Sequence, residues 1–170
     1  TFLGEVLVWH ADGEEENVFP ALEDVAPLVA EAYERDHRGL DSLYESMQKA
    51  INASDTLAIA RATAAFDSQL RLHLNKEEAH LYRIFNERIP LPNQGAIVGK
   101  MAQKVPQERL PELVAWEYPL LGHDDRENMA RIMKQVMPEA AFARVSMLIH
   151  PAIGKDWEEL TRRIPELSSR

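Results

Sequence analysis

Residues 73 to 80 have the sequence His-Leu-Asn-Lys-Glu-Glu-Ala-His and indicate both the fold and the candidate site. This stretch belongs to a line of residues spaced alternately by four and by three, which places side chains on one face of an α-helix. The members of that line are Ile59, Thr63, Phe66, Leu70, His73, Glu77, His80 and Ile84. His73, Glu77 and His80 therefore occupy a face that a core helix keeps apolar. Burying such groups unpaired is costly, and binding a metal ion is one way of avoiding that cost.

Two upstream segments show the same helical spacing. The first, from residue 2 to about residue 18, carries on one face Leu3, Leu7, His10, Glu14 and Asn17. The second, from residue 26 to about residue 51, carries on one face Ala26, Ala30, Tyr33, His37, Leu40, Tyr44, Met47 and Ile51. Residues 52–55, with the sequence Asn-Ala-Ser-Asp, then supply a break and a helix N-cap before the helix that contains His73. Because short loops between long helices make them antiparallel neighbours, residues 1–90 are predicted to form an up-down helical bundle.

The chain changes character beyond residue 90. Short helical segments are predicted near residues 94–104, 107–117, 125–136, 139–149 and 153–164, separated by prolines and by Gly122. They predict a lobe of short helices over residues 91–170, packed on the bundle as part of one globular unit. We expect Trp116, Trp157 and most of the methionines of this lobe to be core residues. The sequence shows no strand alternation, so the fold class is all-α.

Composition excludes several function classes. A net charge of -9 without a face dense in Lys and Arg argues against nucleic acid or an anionic membrane as a partner. No apolar run approaches the roughly 20 residues of a membrane span, and no signal peptide is visible, so we expect a cytoplasmic protein. The absence of cysteine leaves His, Asp and Glu as the possible metal ligands.

Two pairs of residues have the spacing of a shared metal site. Residues four apart project from the same side of a helix, so His10 lies beside Glu14, and His73 beside Glu77. His37 faces the same interior from the helix between them. Three histidines and two carboxylates are too many for one tetrahedral zinc ion but suit two ions, with each Glu bridging from one to the other. The economical interpretation is a dinuclear site.

The order of these residues resembles that of the haemerythrin-like (HHE cation-binding) proteins. Their motif is His, then His-x-x-x-Glu, then His, then His-x-x-x-Glu on four successive helices. Over residues 2–90 the chain matches the last three parts in order, with His10-x-x-x-Glu14, Tyr33-x-x-x-His37 and His73-x-x-x-Glu77. The short helices that follow are similar to the C-terminal extension of the haemerythrin-like domains of plant iron-regulated ubiquitin ligases.

The family's first helix, with its His, has no counterpart in the nine residues before His10. We expect this helix to lie in sequence upstream of Thr1; otherwise this variant lacks it. Either way, the resemblance implies a bundle with one open side, to be covered by an upstream helix or by a second copy of the chain. His80 is then a substitute ligand only if the first helix is truly absent.

The resemblance implies a non-haem di-iron centre with an oxo or hydroxo bridge, zinc being the alternative metal. Its carboxylate bridges would be Glu14 and Glu77, and its terminal ligands His10, His37 and His73. Such centres bind O2, NO or peroxide, or report iron and oxygen status. Tyr33, one turn before His37, either donates a hydrogen bond to a bound oxygen species or is a buried tyrosine satisfied by a carbonyl.

Other histidine patterns have plainer interpretations. His80, His123 and His150 are expected to be core histidines, and residues 122–125 place His123 at a helix start, where acids favour the helix dipole. A ferritin-like alternative uses the Glu-x-x-His motifs of residues 34–37 and 77–80. It ranks second because Glu34 lies off the buried face.

The leading functional hypothesis is a di-iron protein that binds or senses O2 or a related small oxidant, NO or iron status. One alternative is a di-iron enzyme with peroxidase, catalase or NO-reducing activity. Another is a structural or interaction module in which the metal ions only hold the helices together. The sequence favours binding over catalysis without deciding between them.

Overall fold

A computed structural model describes residues 1–168, and within that range the chain forms helices and no β-strand. This confirms the all-α fold class. The last two residues of the predicted short-helix lobe, 169 and 170, lie outside the described residues. The chain divides into two compact units, Thr1–Ile97 and Val98–Arg170. Among the described residues, no helix is both long enough and apolar enough to cross a membrane.

The first unit is built on three long helical stretches. They consist of α1 (Phe2–Gly13) and α2 (Phe19–Glu23), then α3 (Val29–Asn52), then α4 (Thr56–Lys76) and α5 (Tyr82–Arg88). A π-helical turn joins α1 to α2 at Glu14–Val18, and a second joins α4 to α5 at Glu77–Leu81. The next helix, α6, spans Leu91–Ala102.

Helices α3 and α4 are antiparallel, as predicted. The start of α3 meets the end of α4, where the Tyr33 hydroxyl donates to the carbonyl of Lys76 at 3.0 Å. Further along, the Tyr44 and Phe66 rings lie 6.1 Å apart. The predicted N-cap of α4 is also confirmed, because the Asp55 carboxylate accepts a hydrogen bond from the backbone N–H of Ala58 at 3.0 Å.

The π turns correct the predicted register of two helices. Uniform α-helical spacing placed Asn17, His80 and Ile84 on the buried face. The residues buried beyond each turn are instead Val18 and Leu22 in one case, and Leu81 and Phe85 in the other, while His80 is exposed. The physical reason is the hydrogen-bonding pattern, since Phe19 N–H bonds to the Glu14 carbonyl and Tyr82 N–H to the Glu77 carbonyl. Each bond spans five residues rather than four and moves the following side chains along by one position.

Close packing of α1 on α3 depends on one glycine. A Cβ atom built on Gly4 would lie 2.6 Å from the Tyr44 hydroxyl oxygen. That hydroxyl also forms a hydrogen bond with the Thr1 side chain at the start of α1. The missing side chain at Gly4 therefore lets the two helices approach, which brings the later residues of α1 against α3.

The second unit contains α7 (Leu110–Glu117), α8 (His123–Val136), α9 (Glu139–Ile153) and α10 (Trp157–Arg163). Its core includes Val114, Tyr118, Ala130, Phe142, Val145, Ile149, Ile153, Leu160, Ile164 and Leu167. The buried guanidinium of Arg126 donates to the carbonyls of Tyr118 and Pro119 and, at 2.8 Å, to the Asp156 carboxylate.

Several expected core residues of this unit are on its surface. Trp116 is 44% exposed, and His123 and His150 are exposed as well. His123 is the first residue of α8, as predicted, and such a position is open to solvent. The His150 ring stacks on Trp157 at 4.9 Å, and Trp157 packs against the core, as predicted.

Candidate metal centre

The first unit brings together all five predicted ligand residues. Each offers one ligand atom, and these atoms lie within 4.8 Å of one another. The five residues, called here the metal cluster, are His10, Glu14, His37, His73 and Glu77. His10 and His73 lie near the ends of α1 and α4, His37 lies in α3, and each Glu is the first residue of a π turn.

The two carboxylates face the imidazole rings from within the bundle. Oε2 of Glu14 lies 3.4 Å from Nε2 of His37 and 3.6 Å from Nε2 of His10. Oε1 of Glu77 lies 2.8 Å from Nε2 of His73, and its Oε2 lies 3.7 Å from Nε2 of His10. The His10 side chain is 32% exposed, whereas the other members are buried. His10 therefore forms the edge of the cluster that is accessible to solvent.

The buried polar atoms of the cluster fit a metal ion. No partner at hydrogen-bonding geometry is found for Glu14 Oε2, for Glu77 Oε1 or for the Nε2 atoms of the three histidines. These atoms lie close together, but their distances and angles are not those of hydrogen bonds. Buried polar atoms without partners are costly. Imidazole nitrogens and carboxylate oxygens are ligands of iron and zinc, so a cation would satisfy all of these atoms together.

One carboxylate outside the cluster orients a histidine, and a second lies near another. Glu15 Oε1 lies 2.8 Å from Nδ1 of His37, whereas Asp36 Oδ2 lies 3.7 Å from Nδ1 of His73, too far for a hydrogen bond. Asp36 also forms an ion pair with Lys76. A carboxylate on Nδ1 keeps the proton there, which leaves Nε2 as a ligand atom. Sequence reasoning missed these residues, although an acidic residue directly beside Glu14 or His37 was a visible signal.

The two tyrosines near the cluster have different roles. Two roles are expected for Tyr33 from the sequence: donating to a bound oxygen species, or being a buried tyrosine satisfied by a carbonyl. Its hydroxyl donates to the Lys76 carbonyl, which is the second of these. The hydroxyl of Tyr82 instead donates to Glu14 Oε1 at 2.5 Å. Sequence reasoning missed Tyr82 because uniform α-helical spacing from Glu77 does not bring it to this face.

The ferritin-like alternative does not fit the described residues. Glu34 lies 3.7 Å from Arg38 on its own helix, and His80 is exposed. Neither residue is among those whose ligand atoms converge. The Glu-x-x-His motifs therefore do not form the cluster, because the π turn that begins at Glu77 carries His80 away from the buried face.

The electrostatics of the cluster favour a cation. Burial by itself lowers the pKa of His10 and His37, but contacts with Glu77 for His10, and with Glu14 and Glu15 for His37, outweigh it and raise the pKa of both. Burial by itself raises the pKa of Glu77, and contacts with His10 and His73 lower it to about 2. The Glu77 carboxylate is therefore ionised at neutral pH.

Comparison with known proteins locates the cluster within a family domain. The family model described as "Hemerythrin HHE cation binding domain" matches residues 1–85, half of the 170-residue chain. The match includes every residue of the metal cluster. No solved structure matches the chain.

The similar curated proteins come from Arabidopsis thaliana. Zinc finger protein BRUTUS is 24% identical over 143 residues, which cover 81% of this chain and 11% of that protein. Two BRUTUS-like zinc finger proteins are 24% identical over 146 residues, which cover 81% of this chain and 12% of each protein. The chain thus spans about a tenth of the length of the curated relatives that it matches. The family predicted from the His-x-x-x-Glu pairs is confirmed: the chain belongs to the haemerythrin HHE cation-binding domain family.

Proposed function

We propose that this chain binds two iron ions at the metal cluster and that the loaded centre binds O2, NO or peroxide, or reports iron status. The observation that carries the proposal is the convergence of five ligand atoms, several of them buried without hydrogen-bond partners. Cation binding is the property for which the family is named. Three nitrogen and two carboxylate ligands exceed what one tetrahedral ion requires, which supports two ions of borderline hardness.

The ligand roles follow from which atoms face inward. His10, His37 and His73 would bind through Nε2, and Glu14 and Glu77 through their carboxylates. Glu15 would hold the outer nitrogen of His37. When iron is bound, it supplies the redox chemistry that these side chains lack.

A small ligand would reach the centre beside His10. This side chain is about a third exposed, whereas the other four are almost completely buried. The solvent-exposed edge at His10 is therefore the proposed side of approach for O2, NO or peroxide.

The test is metal analysis of purified chain after anaerobic reconstitution with Fe(II). We expect two iron ions per wild-type chain and near-ultraviolet charge-transfer absorption that changes on adding O2, NO or peroxide. His73→Ala should lose the metal and the absorption, whereas the matched surface variant His123→Ala should retain both. A metal content near zero in wild type and in His73→Ala alike would contradict the proposal. Turnover of peroxide or NO beyond one equivalent would assign an enzymatic role to the same residues.

A further inference from the structure

The two glutamates of the metal cluster are held differently. One oxygen of Glu14, Oε1, accepts the hydrogen bond from the Tyr82 hydroxyl at 2.5 Å. The other, Oε2, faces Nε2 of His37 at 3.4 Å and Nε2 of His10 at 3.6 Å. Glu14 is thus oriented with one oxygen toward the histidines and the other bound by a phenol.

Glu77 is oriented by the histidines. Its Oε1 lies 2.8 Å from Nε2 of His73, and its Oε2 lies 3.7 Å from Nε2 of His10. Both oxygens therefore face imidazole nitrogens of the cluster, whereas one oxygen of Glu14 is held by a phenol.

The second π turn explains how Tyr82 reaches Glu14. In a regular α-helix, a residue five positions after Glu77 would lie about 140° away around the axis. Here the Tyr82 N–H bonds to the Glu77 carbonyl, so that the turn closes over five residues and brings Tyr82 back toward the side of Glu77. The Tyr82 ring then packs edge-on against Phe85, one of the buried residues of α5, at 6.5 Å. The same turn that presents Glu77 therefore also presents the phenol that holds Glu14.

We propose that Tyr82 is a positioning residue of the metal centre: its hydroxyl holds Glu14 Oε1 and thereby keeps Glu14 Oε2 directed toward His10 and His37. This inference rests on the proposed function. The sequence pattern treats the two His-x-x-x-Glu pairs as equivalent, and the hydrogen bond from Tyr82 makes them unequal.

The experiment uses Co(II), whose visible absorption reports the number and kind of its ligands. Tyr82→Phe removes the hydroxyl and keeps the ring, so Glu14 Oε1 becomes free to move. We expect Co(II) affinity to fall by about 10- to 100-fold, as for other outer-shell partners of metal ligands, and the absorption spectrum to change. Tyr44→Phe is the matched control, because it removes a hydrogen-bonded hydroxyl of the same unit outside the cluster. It should leave affinity and spectrum unchanged.

A double-mutant cycle separates positioning from general destabilisation. Glu14→Asp keeps a carboxylate but shortens its reach toward Tyr82. In that background, Tyr82→Phe should have little further effect on Co(II) affinity or on the spectrum.

Each remaining outcome overturns a specific claim. An unchanged spectrum and affinity in Tyr82→Phe, or an equal loss in both backgrounds, would overturn the role of Tyr82 and leave the proposed function standing. A wild-type chain that binds no metal would overturn the proposed function, and the role of Tyr82 with it.

Discussion

Oε1 of Glu15 lies 2.8 Å from Nδ1 of His37, on the ring nitrogen that does not face Glu14. The His37 side chain is buried, whereas that of Glu15 is 39% exposed. Glu15, a partly exposed residue of the first π turn, therefore holds the orientation of the buried His37 ring. Its contribution to the site is orientation, because it keeps the Nδ1 proton and leaves Nε2 for metal.

We expect Glu15→Ala to weaken metal binding by about 10- to 100-fold, the usual effect of removing such a partner. Competition with a chromophoric chelator, using Zn(II) to avoid oxidation, measures the change. Glu78→Ala is the control, because Glu78 is an exposed acid beside the other cluster glutamate. Equal losses in the two variants would assign the effect to net charge instead of to orientation of His37.

Replacing Glu77 by Ala should remove most of the bound metal. Both oxygens of Glu77 face histidines of the metal cluster. The substitution therefore removes one of the two carboxylates among the five proposed ligands. Inductively coupled plasma analysis gives metal per chain, and circular dichroism checks that the helices persist. A folded Glu77→Ala chain with full metal content would show that the metal lies elsewhere.

Metal affinity should fall as the pH is lowered. The pKa of His10 and that of His37 are raised above the ordinary value of 6.5, so these rings hold their protons at a higher pH than free histidine does. A protonated ring cannot bind metal, so proton competition begins above pH 6.5 and strengthens in acid. Zn(II) titrations between about pH 5 and 8 would detect it. An affinity that stays constant over that range would contradict the assignment of histidine ligands.

Arg126 should be a major stabilising residue of the second unit. Its buried guanidinium bonds two carbonyls and the Asp156 carboxylate, so Arg126→Ala should lower the free energy of unfolding by about 2 to 3 kcal/mol. Urea denaturation measures this, and Arg144→Ala, an exposed arginine of α9, is the control. A comparable loss in Arg144→Ala would contradict the prediction.

The stabilisation from the ion pair between Arg126 and Asp156 should depend on pH. Hydrogen bonding to Arg126 holds the pKa of Asp156 below its ordinary value of 3.8. The stabilisation is therefore complete above pH 3.8 and is lost as the pH falls through the lowered pKa. The difference in stability between wild type and Asp156→Asn should shrink over that acidic range, as denaturation at several pH values would show.

The sequence predicted the convergence of the metal cluster because all five members precede or begin the π turns. Up to Glu14 and Glu77, uniform helical spacing is correct, and it places the His-x-x-x-Glu pairs on the buried face. Beyond those residues the spacing fails by one position. His80 was therefore placed inside instead of Leu81, and Tyr82 was missed.

The failure has a physical cause. Whether a backbone N–H bonds to the fourth or the fifth preceding carbonyl depends on how the turn packs against neighbouring helices, and the local sequence gives no clear signal of it. Trp116 shows a similar limit in the second unit. Helical spacing identifies a face, but whether other elements cover that face is decided by tertiary packing.

Each π turn gives its own helical stretch two phases, as the first turn shows. His10 and Glu14 follow the phase before the first turn, and Val18 and Leu22 follow the phase after it. Deleting one residue from that turn would let it close as a regular α-helical turn, and the apolar residues beyond it would then follow Glu14 at spacings of three and seven, still on the buried face. The π turn thus takes up one extra residue without turning the core face away from the ligand face, and the chain length between Glu14 and Leu22 can vary by one residue at this point.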